Sequence, residues 1–188
     1  ILFILLVIFA LKIGIKDTYA SLNQLNMGQA QWGKLDVTSD GTTIFAIKDG
    51  GGGFNIEKSS DSGSSSVGTG EVREWVDIYE AGGTFIAVSN SNDDYVYINN
   101  GANWSAETTG LAGEPRGPFR AAAISNSADD AIVLKDTSYY YKDTGTWTQV
   151  NNSSGERWSD VAMSSDGIYA LFAAYGSNGG VFLSNDLG

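Results

Sequence analysis

Hydrophobic and polar positions divide the chain near residue 29. Residues 1–15 have no polar face before Lys12, with Ile1, Leu2, Phe3, Ile4, Leu5, Leu6, Val7, Ile8, Phe9, Leu11, Ile13 and Ile15 supplying the run. Ala20, Leu22, Leu25 and Met27 then alternate with polar residues, a spacing that carries a helix to about residue 26, and Gly28 offers a stop. The expectation is one helix of about 25 residues, near 38 Å long at about 1.5 Å per residue, apolar at its start and amphipathic toward its end. Gly14 lowers helix propensity locally and allows a bend. Beyond residue 29 the pattern changes to short apolar or alternating runs rich in β-branched and aromatic residues. They are residues 43–47, 84–88, 94–98, 130–134, 169–173 and 181–184, separated by Gly/Ser/Asn/Asp clusters. Each reads as a strand.

Self-similarity orders these strands. Trp158-Ser-Asp-Val161 through Asp166-Gly167 has the same spacing as Trp32-Gly-Lys-Leu35 through Asp40-Gly41, and weaker copies begin at Trp75 and Phe119. The four anchors lie 43, 44 and 39 residues apart, a repeat of roughly 42 residues. A second landmark follows each anchor, of the form polar-x-Asp/Asn-x-Gly, sometimes followed by Trp. Its copies contain Asp61 and Gly63; Asn99, Gly101 and Trp104; Asp143, Gly145 and Trp147; Asp186 and Gly188.

This second landmark resembles the Asp-box, or bacterial neuraminidase repeat, of sialidase-like and related β-propellers, over about residues 30 to 188. The resemblance implies a turn capped by the carboxylate or amide, a glycine at a φ other residues avoid, and a tryptophan packed beneath. The fold expected is mainly β: a four-repeat β-propeller-like body over residues 29–188, preceded by one long apolar N-terminal α-helix over residues 1–28. The last unit stops at its box and lacks an outer strand. Residues 28–32 would supply that strand and close the ring, or the chain continues further.

The apolar start admits three readings. A secretory signal would open with Met and a basic region and be removed from the mature chain. A transmembrane anchor needs about 20 apolar residues, and Lys12, Lys16 and Asp17 interrupt this run early. The third is a packing helix at a processed N-terminus that resides transiently in the membrane and ends in the core of a polymer. An apolar N-terminal helix joined to a β-rich body resembles a type IV pilin, including archaeal members of that superfamily. Leu5 stands where the bacterial family typically has Glu, which turns the comparison toward archaeal relatives. Under burial Lys12 would pair with a neighbouring subunit's Asp17, bond free carbonyls, or snorkel to the edge of the apolar zone.

Composition narrows the chemistry. The 188 residues contain no Cys and no His, so triads built on His, thiolate centres, disulfides and the usual zinc ligand sets are excluded. Eleven Lys plus Arg against 22 Asp plus Glu give a formal net charge of −11, which repels a nucleic acid. A sialidase, by family resemblance, binds its substrate carboxylate with three Arg and acts through a Tyr–Glu pair and an Asp acid across six blades. This chain has four arginines, Arg73, Arg116, Arg120 and Arg157, and four units; no enzyme, catalytic residue or cofactor is expected. Asp93-Asp94 and Asp129-Asp130 read as solvated turns rather than Ca²⁺ ligands, lacking EF-hand spacing. Gly50–Gly53 reads as a hairpin tip, since no Lys-Ser/Thr follows. Ser59–Gly70 reads as a mobile exposed loop, and Tyr139–Tyr141, Tyr95 and Tyr97 as cross-sheet packing rather than a sugar platform. Sequons at Asn103, Asn151 and Asn152 would permit surface glycans.

The expectation for function is a structural subunit of an extracellular, cell-surface, pilus-like filament. Identical subunits would form a homopolymer through the apolar helix, with the acidic β body outside. The alternative is a membrane-tethered β-propeller that binds glycans or proteins.

Overall fold

The computed structural model describes residues 24–28, 30–49, 54–92, 95–101, 103–108, 118–151, 156–177 and 179–186. The apolar run from Ile1 to Ile15 lies outside them, as do Gly50–Gly53, Asp93-Asp94, Arg116, Asn152 and Gly188. Among the described residues no helix is long and apolar enough to cross a membrane.

The described chain is all β, in four antiparallel sheets taken up in sequence order. Blade 1 holds β1 (Trp32–Val37), β2 (Ile44–Asp49), β3 (Phe54–Ser59) and β4 (Val67–Arg73). Blade 2 holds β5 (Trp75–Ala81), β6 (Thr84–Ser89), β7 (Tyr97–Asn99) and β8 (Trp104–Ala106). Blade 3 holds β9 (Phe119–Ile124), β10 (Ala131–Lys135), β11 (Ser138–Asp143) and β12 (Thr146–Asn151). Blade 4 holds β13 (Arg157–Met163), β14 (Ala170–Tyr175) and β15 (Gly180–Ser184). The result is propeller-like. All six runs read as strands lie within or overlap β2, β6, β7, β10, β14 and β15, while Trp32, Trp75 and Phe119 open β1, β5 and β9 and Trp158 is the second residue of β13.

Blades pack face to face because their strands are apolar on both faces. Successive side chains point to opposite sides of a strand, so a run such as Thr-Phe-Ile-Ala-Val-Ser in β6 demands cover twice, and all six of its residues are buried. Between blades 1 and 2, Phe45, Ile47 and Ile56 meet Trp75, Ile78, Phe85 and Tyr97. Between blades 2 and 3, Ile86, Val88 and Val96 meet Phe119, Ile124, Val133 and Trp147. Between blades 3 and 4, Ala121, Ile132 and Leu134 meet Trp158, Val161, Met163 and Phe172. Tyr139–Tyr141 follow the same rule: Tyr140 joins the cluster with blade 2, while Tyr139 and Tyr141 face blade 4.

Polar clamps cross the same boundaries. The Asp36 carboxylate accepts the Glu80 N–H at 2.7 Å, and Asp77 accepts the Ala122 N–H at 2.9 Å. The Tyr79 hydroxyl donates to the Met163 carbonyl at 3.2 Å, joining blade 2 directly to blade 4. No comparable packing joins blade 4 to blade 1 among the described residues, so within them the stack has two free ends. Leu35 and Val37 are exposed on one, and Leu171, Val181 and Leu183 on the other.

Three expectations are corrected. Residues 24–28 are not helical, so the helix does not reach residue 26. They run across blade 1, where the Asn26 N–H donates to the Gly63 carbonyl at 2.8 Å and Met27 is buried against Ile44 and Ala46. Consequently residues 28–32 do not complete blade 4, and Trp32 instead opens β1 beside Lys48. Ser59–Gly70 is not a loose loop: its first part is a tight hydrogen-bonded turn, and from Val67 it is strand β4, paired with β3.

The blade-to-blade packing makes a direct prediction. Phe45 is fully buried, with its ring 4.4 Å from Phe85 and 5.4 Å from Trp104. Phe45→Ala is expected to destabilise the body by about 3–5 kcal/mol, measured by urea unfolding. Val181→Ser, on the free end, should stay within about 0.5 kcal/mol of the parent.

Candidate functional site

The repeated box residues build turns. In blade 1 the Ser59 hydroxyl donates to Asp61 at 2.8 Å, Asp61 accepts the Ser65 N–H at 2.9 Å and the Ser65 hydroxyl at 2.6 Å, and Ser59 accepts the Gly63 N–H at 2.9 Å. These bonds, those from Ser65 foremost, hold the Asp61 carboxyl down to about 2. In blade 2, Asn99 accepts the Gly101 N–H at 2.8 Å. Gly63, Gly101 and Gly145 have φ of 83°, 100° and 90°, which side chains with a Cβ avoid. Beneath these turns Trp104 lies against Trp75 and Phe45, and Trp147 is buried beside blade 2. In blade 4 the Ser184 hydroxyl donates to Asp186 at 3.1 Å, repeating the Ser59–Asp61 bond.

Other nominated residues do not converge. Arg73 stacks over Tyr97 at 4.4 Å, while Arg120 and Arg157 both reach Asp136, at 3.1 and 3.5 Å. Asp130 lies in a turn with Ser125, and its carboxyl is raised, by burial first and then by Asp143. Among the described residues no three carboxylates gather closely enough to hold a metal ion. Asn103 and Asn151 are both exposed.

Among the described residues, three places stand out that chemistry could use. The first lies where inner strands meet. Asp77 is almost wholly buried, with the Lys34 ammonium 3.7 Å away and Asp160 close enough to act on it. Burial is the largest influence and pushes its carboxyl up to about 6, against the pull of the Ala122 N–H and Lys34. Sequence reasoning missed this residue, whose partners lie on three other blades. Its local signal is an Asp two residues after the aromatic anchor Trp75, a spacing repeated by Trp158 and Asp160.

The second is an apolar groove of about 430 Å³ on the free face of blade 1, lined by Leu25, Met27, Trp32, Leu35, Val37 and Ile44. The third is a cleft of about 350 Å³ between blades 3 and 4. Tyr139, Trp158, Phe172 and Phe182 form its floor, with Asn151, Ser184, Asn185 and Asp186 around its rim. Aromatic faces with carboxylate and amide groups at their edge can hold an amphipathic ligand by stacking and by hydrogen bonds.

No family model and no curated protein matches the chain. Solved structures do match in fold. The computationally designed Ika4 protein aligns with a TM-score of 0.58 at 9% identity, over 88% of this chain and 98% of its own. A gluconolactonase from Xanthomonas campestris aligns with a TM-score of 0.59 at 12% identity, over 90% of this chain and 63% of its own. Hsv2p of Kluyveromyces lactis aligns with a TM-score of 0.54 at 14% identity, over 82% of this chain and 50% of its own. At these identities the likeness is one of fold. The chain thus spans less than two thirds of the length of the two natural proteins.

Asp77 generates a pH prediction. Its folded carboxyl binds a proton more tightly than the unfolded one, so its contribution to stability is whole below about 4 and is withdrawn as pH rises through about 6. The change is on the order of 3 kcal/mol for a carboxyl raised this far. Urea midpoints measured from pH about 4 to about 7 should fall for the parent. In Asp77→Asn, which keeps an acceptor for Ala122, that fall should be largely absent.

Proposed function

We propose that this chain is a structural subunit of an extracellular, pilus-like filament, assembled from identical copies. The observation that carries the reading is the run Ile1–Phe9, nine apolar residues with no polar face, joined to an acidic β body. Full burial of nine such side chains is worth on the order of 15–25 kcal/mol as an upper bound. A filament core excludes water from such a run, and the net charge of −11 keeps the bodies solvated on the outside. The box residues support the reading by their work as turn and packing elements. Assembly of this kind needs no catalytic group.

A second reading is a membrane-tethered propeller that binds glycans or proteins. The aromatic cleft between blades 3 and 4, with its polar rim, is the observation in its favour.

Removal of residues 1–23 separates the two while leaving Leu25 and Met27 on blade 1. A filament subunit gives fibres from the full chain, seen by electron microscopy, and a soluble monomer from the shortened chain by sedimentation. A tethered receptor gives no fibres from either. Full-length protein that stays monomeric in buffer without detergent would contradict the filament reading.

A further inference from the structure

The first strand of every blade carries one extra residue against its neighbour. The ladder skips Val76 in β5, Arg120 in β9 and Ser159 in β13, and blade 1 repeats the skip within Gly33-Lys34. The insertion explains a spacing that a plain strand forbids. Trp75 and Ile78, Phe119 and Ala122, and Trp158 and Val161 each lie three residues apart yet join one core cluster, whereas side chains on one face of a regular strand recur every second residue. A bulge leaves its extra residue outside the ladder and re-aims that side chain. In blades 2 to 4 the three re-aimed side chains come to one place: Val76, Arg120 and Ser159 line a hollow of about 250 Å³, completed by Asn90, Phe119 and Tyr175. The hollow is built from the first two strands of these blades and from Asn90, directly after β6.

Arg120 is the one ionised side chain of the lining, and it is held in place before any ligand arrives. Its guanidinium donates to the Asp136 carboxylate at 3.1 Å, Arg157 reaches the same carboxylate at 3.5 Å, and the Asp136 carbonyl accepts the Trp158 N–H at 2.9 Å. Two guanidiniums around one carboxylate leave that group with a net positive charge. A guanidinium bonded through one nitrogen has further N–H groups for a second carboxylate. We propose that the hollow binds a small monocarboxylate with a compact apolar body, its carboxylate on Arg120 and its body against Val76, Phe119 and Tyr175. Asn90 and the Tyr175 hydroxyl supply polar groups around it. A polyanion fits less well, because Asp77 and Asp160 directly follow Val76 and Ser159 on the same strands and the chain carries a net charge of −11. The site depends on neither filament assembly nor a membrane tether.

The test titrates benzoate into the full chain in non-ionic detergent and follows backbone amide shifts by NMR. Saturable shifts are expected, centred on Val76, Arg120 and Ser159. Benzamide, of the same shape without the charge, should bind about tenfold more weakly or worse, as should benzoate to Arg120→Gln. Because Arg120→Gln also removes the bond to Asp136, a second variant keeps that bond: Ser159→Trp fills the hollow from an exposed position and should abolish saturable binding. Four results would overturn the proposal: no saturable shifts, equal affinity for benzamide, parent-like affinity in Ser159→Trp, or inorganic phosphate binding at the same amides more tightly than benzoate.

Discussion

A sheet with apolar side chains on both faces is insoluble by itself, and the cover that one blade gives the next organises this protein. Phe45 and Ile47 on one blade, Trp75 and Phe85 on its neighbour, close a dry layer that neither sheet could form alone. Burying an aromatic side chain is worth roughly 1.5–3 kcal/mol, and each boundary contains several. The demand for cover runs along the stack: β6 and β10 are covered on both faces, whereas β1, β14 and β15 become progressively exposed toward the two free ends. Residues 24–28 meet part of that demand on blade 1, where Met27 is buried on Ile44 and Ala46.

Some buried polar groups are held by ion pairs, as Lys142 is by Glu107 at 3.0 Å, and others by backbone. Asp36 and Asp77 each reach across a boundary to a backbone N–H of the next blade, at Glu80 and Ala122. The two carboxylates locate one blade against the next more sharply than apolar packing can, because a hydrogen bond fixes a distance and direction. Asp77 does so at an electrostatic disadvantage, drawn toward its neutral form by burial and by Asp160. Burial thus pushes Asp77 up to about 6, whereas the hydrogen bonds of the blade 1 box turn hold Asp61 down to about 2.

Local rules made much of this legible before any coordinates. Alternation and β-branched content marked the strands, and the spacing of Trp32, Trp75, Phe119 and Trp158 marked the blades, because an aromatic anchor stands first or second in the first strand of each blade. The boxes were readable because their bonds span two to four residues, as between Ser59, Asp61 and Ser65. The clamps were not, because Asp36 and Asp77 act 44 and 45 residues away, on backbone groups of the next blade. The path of residues 24–28 was misread for a related reason: Leu25 and Met27 fit a helical spacing, yet their cover comes from blade 1. The aromatic cleft was invisible as a site since its lining, Tyr139, Trp158, Phe172 and Phe182, comes from residues up to 43 positions apart on two blades.

Native-state hydrogen exchange on the full chain, resolved by strand, measures the central claim that cover by neighbouring blades sets local stability. Amides of β6 and β10 should exchange only through global unfolding, and those of β15 orders of magnitude faster through local opening. Protection of β15 equal to that of β10 in the isolated protein would contradict the account.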